Sequence, residues 1–479
     1  MKSVAGFIFF VFLCSVHNIH YMSFIRRIKK KDAVYLAQVE SYRQDGKVKQ
    51  RVLRYIGKEV DGQPVRRINS GSIEVSAVKQ FLDYHVLHEI AKKLGLPDLL
   101  GPAAKYILLL VYSQIIARKS IYKLPDYVEQ TALMEILGLD KLVDKDLYSA
   151  LDELEELCFS HIEEKIFDTL SAHRKERKGM VIDVTDTYFN GSQADWKARK
   201  GKDGKYDKLI QIALAVTKEE GFPILHRMYE GNIGNTRIFQ DIMADARLKK
   251  FDIIVLDRGM SSMESLQNLM ELNQKVITGL RLHNTIKVKY LSNIQREEIF
   301  QPEYRVKLKN TEVYAMSFDY FGGTLITIYN PELETIKRQH AMENKDRYKP
   351  DEAKYMGYSL IFHTTELSIQ EVVKTYFEKD IVEKAYRELK SSANLHPIRK
   401  YRMSHVKAHV KICYLAYALL SYIQYKVKPA QLSAPAAIEK LQSVYKVTLE
   451  SKQENLKWSK TVTLKREQDR ILRLIECSV

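Results

Sequence analysis

Cysteine is scarce in this chain, with only Cys14, Cys158, Cys413 and Cys477 in 479 residues. None belongs to a CxxC pair and none has a histidine at ligand spacing. That pattern argues against a disulfide framework or a zinc site and implies a reducing cytosol. Internal repeats and low-complexity tracts are also absent. Beyond the N-terminus, no uncharged run reaches membrane-spanning length, so no membrane partner is expected. The N-terminus itself is ambiguous. Met1-Lys2 followed by the apolar run Ala5 to Val16 resembles a short signal peptide. An ordinary start follows at Met22-Ser-Phe-Ile-Arg-Arg-Ile-Lys-Lys-Lys31. Residues 1–21 are read as an upstream extension with translation beginning at Met22; the alternative is a cleaved signal of a secreted protein.

What is plentiful is positive charge. Lysine and arginine number 76 against 60 acids, a net charge of +16. These cations are spread along the chain, which suits a long track over a polyanion such as DNA, although a merely basic surface would look the same. The apolar fraction of 45% and charged fraction of 28% are those of an ordered globular protein. The length implies several domains or subdomains.

Residues 33–58 alternate in strand fashion around Asp45-Gly46, a two-residue hairpin signal. The result is a basic β-ribbon within residues 22–72, of a kind that can enter a major groove. Residues 73–177 read as helices and as a DNA-binding region. From Gly179 the pattern turns α/β. Met180 to Phe189, Leu209 to Val216 and Phe222 to Met228 read as strands, then Thr236 to Leu248 as a helix. A strand from Phe251 to Gly259, a serine-capped helix from Ser261 to Leu272 and a strand from Lys275 to Arg281 follow. Three strands, a helix, a strand, a helix and a strand is the order of an RNase H-like fold. The expected class is therefore α/β: an RNase H-like core over 178–284 and 351–425, interrupted by a β-rich insertion over 285–350. Residues 426–479 are expected as a C-terminal tail.

Three acids stand out. Asp183 interrupts an apolar strand, Asp257 ends another, and Glu383 lies in the later segment Tyr376 to Lys390. A carboxylate in a buried strand is costly without compensation. Two on separate strands, with a third acid on a helix, are the parts of a site for two divalent ions, Mg²⁺ or Mn²⁺. Each aspartate also has a plain alternative: Asp183 in an Asx turn with Thr185, Asp257 capping the next turn. Asp186 is a second choice of ligand, but an odd offset from Asp183 points it to the other face of the strand. In a continuous helix, Tyr376, Lys379, Glu383 and Lys390 would share an arc of roughly 60°, with Ile381, Val382, Ala385 and Leu389 opposite. A solvated face with a Lys379–Glu383 ion pair is the bland reading of that arc.

The spacing of Tyr376, Lys379, Glu383 and Lys390 resembles the Y-R-E-K signature of DDE transposases from bacterial and archaeal insertion sequences. Asp183-Val-Thr185 with Tyr188-Phe189, Lys202-Asp203 leading to Gln211, Glu230-Gly-Asn232 and Leu256-Asp257-Arg-Gly259 resemble the IS-four-type members in the same order. Arg399, Arg402 and His409 before an apolar helix resemble one subgroup, which has an N-terminal basic hairpin. The resemblance spans roughly residues 22–425. It implies that Asp183, Asp257 and Glu383 hold two divalent metal ions and that Tyr376, Lys379 and Lys390 contact DNA phosphates. It also implies cleavage and strand transfer at an element's terminal repeats by a homodimer on double-stranded DNA, in the cytoplasm at the nucleoid, with no small-molecule cofactor. Two positions depart from the pattern: Lys379 replaces the signature arginine, and Asn235 stands where an acid is common. A plain RNase H-like nuclease and an inactive DNA-binding descendant of a transposase are the rival readings.

Overall fold

The computed structural model describes residues 23–479 except 31–32, 61–62, 66–70, 72, 174–178, 190–197, 201–205, 260–262, 272, 293, 310, 344–349, 393–394, 396–397, 399, 401 and 453–454. Residues 1–21, Met22, Lys202, Asp203, Ser261 and Arg399, all singled out from sequence, lie outside the described residues. The chain forms two units, Met1–Val78 with Val447–Lys460, and Lys79–Lys446 with Thr461–Val479.

In the first unit, β1 (Ser23–Lys30), β2 (Ala33–Gln44), β3 (Lys47–Val60) and β4 (Gln63–Val65) form an antiparallel sheet in that order. Asp45 and Gly46 join β2 to β3 with φ of 53° and 73°. Two consecutive left-handed residues make the turn whose twist matches a hairpin, and Asp-Gly tolerates it best. Alternation along β2 buries Ala37 and Val39 on one face. On the other face, Arg51 donates to Glu40 at 2.7 Å and Arg54 to Gln38 at 3.0 Å. The strand β5 (Glu74–Gln80) belongs to a second sheet, ordered β17-β16-β5, with β16 (Tyr445–Ser451) and β17 (Leu456–Thr461). Residues 426–479, expected as a tail, thus contain two paired strands and the helices Ala434–Leu441 and Arg466–Ile475.

The second unit is built on a ten-stranded mixed sheet. Its strands are β6 (Gly179–Tyr188), β7 (Ala198–Lys200), β8 (Tyr206–Thr217), β9 (Pro223–Glu230), β10 (Ile253–Leu256), β11 (Lys275–Leu280), β12 (Arg305–Lys307), β13 (Glu312–Tyr320), β14 (Gly323–Tyr329) and β15 (Tyr358–His363). The order is β12-β13-β14-β15-β11-β10-β6-β8-β7, with β9 also on β8. The pairs β6–β10 and β10–β11 are parallel, while β8 runs antiparallel to both β6 and β9. The parallel strands are nearly continuous apolar runs because both faces are covered. Met180, Ile182 and Val184 enter one buried cluster and Val181 the other. The expected insertion contains β12–β14, and these do not make a sheet of their own. They pair through β15 onto β11, because Leu325, Ile326, Ile361 and Phe362 are all fully or nearly fully buried along that register.

Helices from Leu82–Lys93 to Phe159–Ser171 precede the sheet. The 25-residue helix Met403–Val427 is buried almost all round and packs on the helices Ala104–Ile116 and Asp144–Glu156 as well as on β9. A helix apolar on every side belongs in a core. Among the described residues, no helix is long and apolar enough to cross a membrane.

Candidate active site

The segment expected as one helix over 376–390 is broken into three pieces. Ile369–Phe377 is a helix whose start is fixed by a capping box: Ser368 Oγ accepts from the Glu371 N–H at 3.3 Å, and Glu371 accepts from the Ser368 N–H at 2.9 Å. A second helix covers Asp380–Arg387, and Glu388–Ser392 is a π turn. The break falls at Glu378 and Lys379, with ψ near zero at both (0° and −8°), which swings the second helix away from the first axis. The shared arc of Tyr376, Lys379, Glu383 and Lys390 is therefore not that of a continuous helix. Tertiary contacts decide the break, since Lys379 turns in to reach the sheet and Ile381, Val382 and Ala385 pack as part of the core.

Asp183 and Asp257 are brought together by strand register. In the parallel pair β6–β10, Ile182 lies opposite Leu256, so the next residues, Asp183 and Asp257, are level on neighbouring strands. Residues level in a parallel pair point to the same face, and adjacent strands lie about 4.8 Å apart. That face is the one of Val181 and Val255, against which the signature helices pack. Asp183 Oδ1 accepts from the Val184 N–H at 2.7 Å. Asp186 belongs to the other face by the same alternation, and its Oδ1 is buried without a hydrogen-bond partner.

The helix Asp380–Arg387 packs on β6. Its Tyr386, fully enclosed, donates to the backbone oxygens of Asp183 at 2.5 Å and Ile212 at 2.9 Å. Burial pushes that phenol well above its ordinary pKa. Glu383 lies one turn earlier and is exposed. Lys390 Nζ donates to Thr185 Oγ1 at 2.6 Å, two residues along β6 from Asp183. Tyr386 and Thr185 thus tie the segment to the strand. Sequence reading missed both roles, although a tyrosine three residues after the glutamate was a visible sign of an inward anchor.

Around Asp257 the contacts are different. Lys379 Nζ donates to Asp257 Oδ1 and, at 3.3 Å, to the Tyr376 hydroxyl, and it stands 4.6 Å from that ring's centroid. Burial opposes ionisation of Asp257, yet Lys379 and the N–H groups of Gly259 and Arg258 outweigh it and hold the carboxyl below its usual range. Gly279, beside Asp257 on β11, makes room for Tyr376: a Cβ there would stand 2.1 Å from the hydroxyl. Asn235, the departure from an expected acid, donates to the Gly259 carbonyl at 3.0 Å and so braces the turn after Asp257. The Lys379–Glu383 pair of the bland reading is replaced by Lys379–Asp257.

Hard carboxylate oxygens of this kind suit a divalent ion such as Mg²⁺ or Mn²⁺, and the Lys379 ammonium is bound to one of them, Asp257 Oδ1. The three acids are not gathered into a finished cluster: among the described residues, no group of three His, Cys, Asp or Glu side chains is close enough to hold an ion.

Residues 174–419 match the model of the transposase DDE domain, and residues 25–70 match that of the IS1634 family transposase N-terminal domain. The first match covers just over half of the chain, and the chain belongs to the DDE transposase domain family. It is a DNA transposase, an enzyme acting on DNA. No curated relative matches it. Among solved structures, it is similar to a piggyBac transposase synaptic complex with hairpin DNA, at 14% identity and a TM-score of 0.41, over 75% of this chain and 78% of that one.

Proposed function

We propose that this transposase cuts and rejoins DNA at the terminal inverted repeats of an insertion sequence, with an RNase H-like core of the IS-four type. The observation that carries the reading is the placement of Asp183 on β6 beside Asp257, the residue directly after the parallel strand β10, with the glutamate-bearing helix packed on β6. Asp183, Asp257 and Glu383 hold the divalent ions. A bound pair of Mg²⁺ or Mn²⁺ ions supplies activation of the attacking oxygen and stabilisation of the leaving one.

The chain's own groups orient the DNA. Lys390 lies beside Asp183 through Thr185 and offers a point charge to a backbone phosphate. Tyr376 keeps its proton, because burial raises its pKa, so it donates to a phosphate and is not a nucleophile. The ribbon face of Arg51 and Arg54 fits a duplex backbone, and a homodimer holds two ends in synapsis. The test is joining: the purified chain with Mg²⁺, a donor carrying both repeats that flank its gene, and supercoiled target should give joined strands that depend on both ends. Cutting of unrelated DNA without joining would replace this reading with a plain nuclease.

A further inference from the structure

Asp257 carries a cation that belongs to the protein itself. Lys379 donates to its Oδ1, with the Tyr376 hydroxyl as the second acceptor. The Lys379 side chain is 19% exposed and that of Asp257 40%, so the pair borders solvent and is not sealed in the core. Its geometry is built by the fold. The backbone break at Glu378–Lys379 aims the side chain at the strand end, and the missing Cβ of Gly279 lets Tyr376 sit against it.

An ion such as Mg²⁺ approaches a carboxylate oxygen to about 2.1 Å, and an ammonium bound to that oxygen cannot remain beside it without strong like-charge repulsion. We infer that Lys379 is a positioning residue that competes with the divalent ion for Asp257, so that the ion binds tightly only after a DNA phosphate has drawn the ammonium away. This inference rests on the metal-site reading above.

The chemistry of lysine suits such a hand-over. Its charge is compact and sits on a flexible four-carbon stem, whereas a guanidinium would hold the carboxylate by a rigid fork. The surroundings also favour a phosphate. Burial and the charge of Arg258 both pull the Lys337 ammonium below its ordinary pKa, which marks a second cation near the residue that follows Asp257. Lys379 neutralises an aspartate that would otherwise stand ionised and partly desolvated without a counter-charge.

The test is Mn²⁺ titration of the full chain, read by the electron-spin-resonance signal of free Mn²⁺, with and without a mixed-sequence duplex. Lys379→Met without DNA should bind Mn²⁺ at least about tenfold more tightly than the parent, a difference of about 1.4 kcal/mol. Lys379→Gln should behave likewise, and Lys379→Arg should stay as weak as the parent. Duplex should tighten Mn²⁺ binding by the parent and add little for Lys379→Met. Parental affinity in Lys379→Met and Lys379→Gln, both folded by circular dichroism, would overturn the inference if Asp257→Asn still weakens binding. Unchanged Mn²⁺ binding in Asp257→Asn would remove the metal-site reading itself, and this inference with it.

Discussion

Glu163 and Asp257 both meet basic partners in the second unit, and their surroundings differ in nearly every respect. Glu163, on the helix Phe159–Ser171, has a side chain only 1% exposed. It accepts from the His226 backbone N–H at 2.7 Å, Arg227 at 3.3 Å and Arg247 at 3.1 Å, with His226 Nδ1 also 2.7 Å away. Asp245 completes the network, accepting from Arg227 at 2.7 Å and from Arg247 at 2.6 Å. Burial disfavours the Glu163 carboxylate, but His226, Arg227 and Arg247 together hold its pKa below the usual range. Every oxygen is engaged, and the network pins the helical region to β9 and the turn before β10. Asp257, by contrast, borders solvent and has a single cationic partner among the described residues, Lys379, besides the Gly259 N–H at 3.3 Å. A saturated buried network resists change and serves the fold. A carboxylate whose partner can leave is suited to binding something else.

The contrast breaks most sharply if the acids of the site prove structural. Asp183→Ala, Asp257→Ala and Glu383→Ala should each reduce Mg²⁺-dependent cleavage of an end-containing duplex by about a thousandfold or more, since a metal contributes several kcal/mol and each 1.4 kcal/mol is tenfold. Binding to the same duplex should survive. Near-parental cleavage by any of the three would remove that residue from the site.

Glu163→Ala should act on the other side of the comparison. It leaves the buried Arg247 and the half-buried Arg227 with Asp245 as their remaining carboxylate, and loss of one partner from a buried network costs about 3–5 kcal/mol. Urea unfolding would measure it; a loss below about 1 kcal/mol would place the network among weak surface pairs. The sign of the pH dependence follows from the lowered pKa. Stability from Glu163 is complete above the ordinary glutamate value of about 4.3 and is lost as pH falls toward the folded value. Glu163→Gln should therefore be less stable near neutrality and lose less between neutral and acid pH.

Smaller effects sharpen the picture. Lys390→Ala should weaken binding to the element's end and lower the slope of log affinity against log salt by about one, as for one lost phosphate contact. An unchanged slope would leave Lys390 as a tie to Thr185 alone. Asp186→Asn, on the opposite face of β6, should keep cleavage within about tenfold of the parent, a change of 1.4 kcal/mol or less. A dead Asp186→Asn beside an active Asp183→Asn would reverse the choice between them.

Much of this was legible in the chain. The Asp45-Gly46 hairpin, the strand–helix order from Gly179 to Leu280 and the placing of Asp183 and Asp186 on opposite faces of β6 follow from turn chemistry and from the period of two along a strand. These are local rules, carried by neighbours in sequence. The spacing of Tyr376, Lys379, Glu383 and Lys390 was visible as a motif. Its continuous helix was not correct, because helical periodicity says nothing of a distant aspartate that draws Lys379 out of line. Only the tertiary structure made Asp183 and Asp257 level, through hydrogen bonds between β6 and β10. It also merged β12–β14 with the main sheet, and it turned Glu163, an ordinary acid on an amphipathic helix, into the centre of a buried network. Each of these pairings joins residues far apart in the chain. Their energies depend on burial and register, which the order of residues constrains but does not display.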